Sequence, residues 1–339
     1  MQPLSDLDAC RALLRGGSKS FAAAARLLPA RVRDPAIALY AFCREADDVI
    51  DSQGGGIGWV RERLGLAYEG RPLDIPADRA FAGVVERFAI PRALPDALLE
   101  GFAWDAAGLR YADLPALRGY AVRVAGSVGA MMAVLMGVHD PGRLTAAIHL
   151  GVAMQLSNIA RDVGEDARNG RLYLPLRWLA DAGIDADRFL AAPAHSAALG
   201  GVVARLLRVA DDHYRLASAG IARLPIGCRM GIGAAGLLYA EIGHEVARRG
   251  MDAVTGRAVV SGRRKVGVLA AGLAGVVLPV RPLSGVGVPE GAFLMDAVVQ
   301  SAPRPVNAGA PWWSIADRTR WTIELFMRLE QRERVQTEA

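Results

Sequence analysis

Apolar residues recur along most of this chain at helical spacing, in alanine-rich stretches with few of the alternating β-branched runs that mark strands. The pattern predicts an all-α protein. Residues 5–30 form helix, break and helix, with the break at Gly16-Gly17. An apolar helix runs from Pro35 to Phe42 and has turned polar by Asp51; Gly54-Gly55-Gly56 then opens a surface segment ending in Pro72 and Pro76. Helices follow over 78–90, 95–109 and Tyr120 to His139, the last rich in glycine and methionine. A central helix is apolar from Ala146 to Leu156 and abruptly polar beyond.

Further on, Pro175 to Ala192 predicts a surface helix and Val202 to Arg223 an amphipathic one in which His213 is a surface or capping residue. Val266 to Val280 is uncharged, but too short and too glycine-rich to span a bilayer. It is either a core helix, the favoured reading, or a surface dipping into the bilayer interface between flanking arginines. One helical domain is expected over residues 1–300. Residues 301–339 are expected to hold linker and an amphipathic C-terminal helix, Ser314 to Glu333. No internal repeat of roughly 20–50 residues is visible, which excludes a solenoid.

Composition narrows the partners. The 339 residues are 52% hydrophobic, enough for one large core or two modest ones. A net charge of +5 suits an anionic ligand or an anionic membrane surface. It is spread along the chain, with no basic cluster interleaved with aromatics, so no nucleic acid is expected. Cys10, Cys43 and Cys228 show no C-x-x-C spacing, which argues against a disulfide framework or zinc site and for a reducing compartment. The first residues carry Asp6 and Asp8 and no basic-then-apolar leader, so a cytoplasmic protein is expected.

The chemistry lies where two apolar helices turn polar. Gln155, Asn158, Asp162 and Asp166 fall at i, i+3, i+7 and i+11, on one helix face. Tyr40, Arg44, Asp47 and Asp51 repeat the device at i, i+4, i+7 and i+11. A polar stripe continuing an apolar one must find partners, because unpaired buried polar groups are costly. Two such helices can face each other across a cavity, each offering paired carboxylates to Mg²⁺ together with substrate phosphates. Arg161 and Arg171 add charge of the kind that grips phosphate. Ser18-Lys19-Ser20, after the glycine break, offers hydroxyls and amides to phosphate oxygens, or simply a helix cap. Trp104 and Asp105 are most simply a core aromatic and a solvated acid.

Two other motifs fail. Gly231-Ile-Gly233-Ala-Ala-Gly236 spells the dinucleotide fingerprint, but Leu224 to Met230 before it is too short and broken for the required strand. A small-residue helix running into Tyr239 is expected instead. Glu241 and His244 form the only Glu-x-x-His, whereas a di-iron bundle needs two plus further glutamates.

The chain resembles the head-to-head trans-isoprenyl diphosphate synthases, the family of squalene and phytoene synthases, and within it the bacterial phytoene synthases. The likeness covers roughly residues 10–300 and rests on Gly17 to Phe21, Tyr40 to Asp51, Tyr120 to Gly129 and Gln155 to Pro175. It implies an isoprenoid-synthase helical bundle around a central cavity, joining two geranylgeranyl diphosphates through a cyclopropyl diphosphate to phytoene. Mg²⁺, or Mn²⁺, would sit on Asp47, Asp51, Asn158, Asp162 and Asp166, and no NADPH would be used. Arg44, Tyr40 and Tyr173 join the catalytic set. Ser18, Ser20, Phe21, Tyr120, Val124, Gln155, Arg161, Tyr239, Arg257 and Lys265 would meet substrate. Ala25, one turn after Phe21, would line the tail tunnel and leave room for a C20 chain. The C30 synthases are the sibling alternative, and a non-catalytic assembly protein on the same fold is a further one. Peripheral membrane contact is expected, with a downstream desaturase as a possible partner. The sequence departs from many relatives at Val122 and Arg123.

Overall fold

The computed structural model describes residues 5–53, 56–277 and 286–301, and of Lys19, Ser20, 51–53 and 273–277 the backbone alone. All regular structure among these residues is helical. The chain runs through α1 (Asp6–Gly17), α2 (Lys19–Ala25), α3 (Ala30–Gln53), α4 (Ile57–Tyr68), α5 (Pro76–Phe88), α6 (Ala93–Ala106) and α7 (Leu114–Ala121). It continues through α8 (Ser127–Leu135), α9 (Pro141–Arg168), α10 (Leu176–Asp181), α11 (Ala186–Ala191), α12 (Ala197–Ile221), α13 (Ile226–Arg248), α14 (Gly262–Val277) and α15 (Ala292–Gln300). Short polar residues start many of them: Ser5, Ser18, Asp113, Asp140 and Ser196 each accept a backbone N–H of the first turn.

Helix α9 is the axis, with α8, α12 and α13 packed along it. The approach of α8, and of the turn leading into it, is closer than side chains allow. A Cβ on Gly151 would lie 2.2 Å from the carbonyl oxygen of Ala125, and one on Gly129 2.3 Å from that of Ala147. On the other flank, α3 packs against α1 and α5. There Arg63, 1% exposed, reaches Asp78 and Glu45 and stacks on Phe42 and Trp59. Breaking such a buried pair costs about 3–5 kcal/mol, so this knot fixes α3 to α4 and α5.

Several sequence expectations change here. Tyr120 to His139 is not one α-helix: Val122–Gly126 winds as a π-turn between α7 and α8. Such turns re-aim side chains and cluster at functional sites. The stretch Pro175 to Ala192 divides into α10 and α11. His213 is not a surface residue but 6% exposed. Its Nδ1 lies 2.7 Å from that of His149, whose Nε2 lies 3.0 Å from the carbonyl oxygen of Val286. The carbonyl can only accept, so a neutral His149 carries its proton on Nε2 and His213 donates from Nδ1. Burial pushes both imidazoles below their ordinary value, His213 to about 3. The described part of Val266 to Val280 is not core either. Leu269 packs on Ala24, Ala234 and Ala235, while Val266 is 67% exposed. No described helix is long and apolar enough to cross a membrane. The C-terminal segment, including Ser314 to Glu333, lies outside the described residues.

Candidate active site

Beside α9 runs a cavity of about 880 Å³. The α9 wall is the stripe Arg143, Ala146, Ala147, Leu150, Gly151 and Met154, followed by Gln155, Asn158, Arg161 and Asp162. At 1.5 Å per residue, that run spans ~28 Å. Above Arg143 at its foot, the run is apolar as far as Met154 and polar from Gln155 onward. Helix α3 supplies the same gradient, from Ala36 and Leu39 through Tyr40 and Cys43 to Arg44 and Asp47. The amphipathic periods found in the sequence therefore converge on one space.

At the polar end, Asp162 is 16% exposed and accepts hydrogen bonds from both Arg161 and Arg257. Arg257 comes from the segment joining α13 to α14, which also brings Ala258, Val259 and Val260 to the wall. Across the cavity, Asp47 is 41% exposed and 3.5 Å from Arg44, which also pairs with Asp48. Ser18 both lines the cavity and caps α2, its Oγ accepting the Phe21 N–H at 3.2 Å. Phe21 stacks on Tyr40, 5.4 Å between centroids. Tyr120, Val124, Tyr173, Tyr239 and Lys265 complete the expected residues in the wall.

Asp166 lies one turn beyond Asp162, against a small void shared with Arg171 and Tyr173. Burial, then the neighbouring Asp162 carboxylate, pushes its carboxyl up to about 7. A divalent cation between two such acids would offset both the burial and the repulsion. Among the described residues no three acidic, histidine or cysteine groups form a ready-made metal cage. Oxygen donors in ones and twos fit Mg²⁺, which completes its shell with water and substrate phosphates. The side chains of Asp51 and Ser20 lie outside what the structure describes.

Ala25 does not reach the cavity. It is 2% exposed, packed with Cys10, Leu14, Ile37 and Ala41 in a cluster that Phe21 and Tyr40 cover. Helical spacing puts Ala25 one turn from Phe21, but Phe21 both lines the cavity and packs on the core that holds Ala25, so sharing its face does not bring Ala25 to the wall. Val122 is also buried away from the wall, and Arg123 is held between Trp104 and Phe293 and paired with Glu100.

One site residue escaped the sequence reading. Asp105 is not a solvated acid: it lines the cavity and accepts hydrogen bonds from Tyr120 at 2.7 Å and Tyr173 at 2.8 Å. Burial and this carboxylate hold both phenols well above their usual pKa. The signal was present, since Leu98, Phe102 and Asp105 make a third apolar stripe ending in an acid.

The Squalene/phytoene synthase family profile matches residues 14–264. The chain belongs to this family. It is 49% identical over 318 residues to a phytoene synthase of Cereibacter sphaeroides, covering 88% of this chain and 90% of that one. To a phytoene synthase of Rhodobacter capsulatus it is 47% identical, covering 97% of each. Among solved structures, a ligand-bound dehydrosqualene synthase superposes with a TM-score of 0.72 at 30% identity, covering 79% of this chain and 95% of that one. Helices of this squalene/phytoene synthase fold thus carry the carboxylate stripes, and the π-turn and the α13–α14 segment close the cavity between them.

Proposed function

We propose that this protein is a phytoene synthase, condensing two geranylgeranyl diphosphates head to head, through a cyclopropyl diphosphate, with release of diphosphate. The observation that carries this reading is the cavity itself: a long, largely apolar shaft beneath an end where Arg44, Asp47, Arg161, Asp162, Arg257 and Lys265 gather. Each allylic diphosphate would place its anion among Arg44, Arg161, Arg257 and Lys265, with its tail along Leu150, Ala147 and Ala146. Fixed guanidiniums aimed at developing negative charge act without reorganisation, and most strongly in a dry site. Asp47, Asp51, Asn158, Asp162 and Asp166 would hold Mg²⁺ or Mn²⁺, which supplies Lewis-acid neutralisation of the departing diphosphate. Below, Val124, Val128 and Leu238 exclude water, leaving the second substrate's double bond as the nucleophile for the cation. The aromatic faces of Tyr40, Tyr120, Tyr173 and Tyr239 border that space. Asp105 fixes the orientation of two of them.

No reductant enters this scheme. Purified protein given geranylgeranyl diphosphate and Mg²⁺ alone should form the C40 hydrocarbon, stop in EDTA and recover on added Mg²⁺. Turnover that persists in chelator removes the metal, and turnover that needs NADPH points to a squalene synthase.

The apolar product needs a lipid sink, with a desaturase there as its consumer. Val259 and Val266, 66% and 67% exposed, flank Arg263 and Lys265 near the cavity. That face would rest on an anionic bilayer, so the protein should co-sediment with anionic vesicles and come off in high salt. Binding that resists salt and carbonate would contradict peripheral contact.

A further inference from the structure

Both oxygens of the Asp162 carboxylate accept two guanidinium hydrogen bonds. Oδ1 receives the Nε of Arg161 and of Arg257, each at 2.8 Å, and Oδ2 receives a terminal nitrogen of each at 2.5 and 3.2 Å. A carboxylate offers about four lone-pair sites, so the two arginines together fill them. A divalent cation that uses Asp162 therefore has to displace one of them.

The two are not equally free to leave. Arg161 adjoins Asp162 on α9 and its side chain is 16% exposed. The Arg257 side chain is 50% exposed, and its other acidic contact is Glu165 at 3.5 Å. The backbone beneath Arg257 is fastened to α9. Gly164 N–H donates to the carbonyl of Ala253 at 2.9 Å, and Arg168 donates to that of Val254 at 3.1 Å. A Cβ on Gly164 would fall 2.5 Å from Cα of Val254, so nothing separates the two backbones. Asp252 further pins the turn by accepting the N–H groups of Val254 and Thr255. The half-exposed Arg257 side chain is held less firmly than the turn that carries it.

We propose that Arg257 couples cation binding to diphosphate binding: its guanidinium competes with a divalent cation for Asp162 until a diphosphate offers it another bidentate partner. This rests on the reading of Asp162 as a metal ligand. The guanidinium fork matches phosphate oxygens as well as it matches a carboxylate. An arriving diphosphate draws Arg257 away and opens Asp162 to the cation. By linkage, the cation strengthens diphosphate binding by the same factor. Arg257 thus makes cation and diphosphate bind cooperatively as well as gripping substrate.

The test is Mn²⁺ binding to the full chain without any diphosphate, followed by the resonance of free Mn²⁺ and by calorimetry. Arg257→Gln should bind Mn²⁺ about tenfold more tightly than wild type, the size of an ordinary coupling. Arg257→Lys keeps the charge but loses the fork and should fall between them. Adding Asp162→Asn to Arg257→Gln should abolish the gain, and inorganic diphosphate should tighten Mn²⁺ more in wild type than in Arg257→Gln. Unchanged, weakened or undetectable binding in Arg257→Gln overturns the coupling; if Asp162→Asn alone still weakens Mn²⁺, the metal assignment survives. A gain that persists in the double variant places the cation elsewhere and removes both.

Discussion

Helices α3 and α9 carry the same sequence device and meet the cavity from two sides, yet their acids live in different surroundings. Asp47 is 41% exposed and shares one arginine with Asp48. Asp162 is 16% exposed under two guanidiniums, with Asp166 raised towards neutrality one turn away. The cause is packing. Helix α9 is enclosed by α8, α12 and α13, whereas the polar end of α3 faces water. A charge interaction strengthens as its effective dielectric falls. Equal spacing in sequence therefore encodes a wetter acid on α3 and a drier, pre-neutralised one on α9.

The largest consequence is catalytic. Asp162→Asn should lower turnover by at least ~10³-fold, and Asp47→Asn should be comparably damaging, because each removes ligand charge from the same diphosphate end. Stability separates them. Asp162→Asn removes the charge partner of the largely buried Arg161 and of the half-exposed Arg257 and should cost about 1–3 kcal/mol in denaturant unfolding. The exposed Asp47→Asn should stay within ~0.5 kcal/mol. Equal destabilisation would end the distinction between the two helices.

The next effect follows from Asp166. Its carboxyl is pushed up to about 7 in the folded chain from an ordinary 3.8, so the folded state binds more protons between them. Stability should fall as pH rises through that window, by roughly 2–4 kcal/mol, and level off above it. Asp166→Asn should lack this decline, and a wild-type minus variant difference that stays flat would refute it. The His149–His213 pair has the opposite sign. Its depressed values give stability that is full above the unfolded pKa and is lost as pH falls from about 6.5 towards 3, at ~1.4 kcal/mol per unit for His213. Because the slopes oppose one another, each is measured against its own variant, here His213→Gln.

The smallest effect concerns α2. Ala25→Phe enlarges a side chain in the core beneath Phe21 and should cost about 1–2 kcal/mol. It should leave the preference between C20 and C15 diphosphates unchanged. A shifted preference would put Ala25 back at the cavity.

The fold class and both carboxylate faces were legible because amphipathic period is local: each stripe is visible within a dozen residues. The glycine fingerprint was dismissed because no strand precedes it, and α13 carries both that stretch and Tyr239. What sequence lacked was the identity of the opposing surface. Asp105 looked solvated because Tyr120 and Tyr173 arrive from distant elements. His213 looked exposed because its partner lies 64 residues away. Ala25 looked like a tunnel wall because it follows Phe21 by one turn, and only its distant neighbours show that Phe21 covers it. Long-range pairing, not local propensity, decided all three.

The central claim is that the shaft beside α9 takes two C20 tails. It is tested most directly by offering purified protein an equal mixture of C15 and C20 allylic diphosphates with Mg²⁺ and no reductant, then reading product mass. A C40 hydrocarbon as the dominant product, with two diphosphates released per molecule, is the predicted result. A dominant C30 product would contradict it.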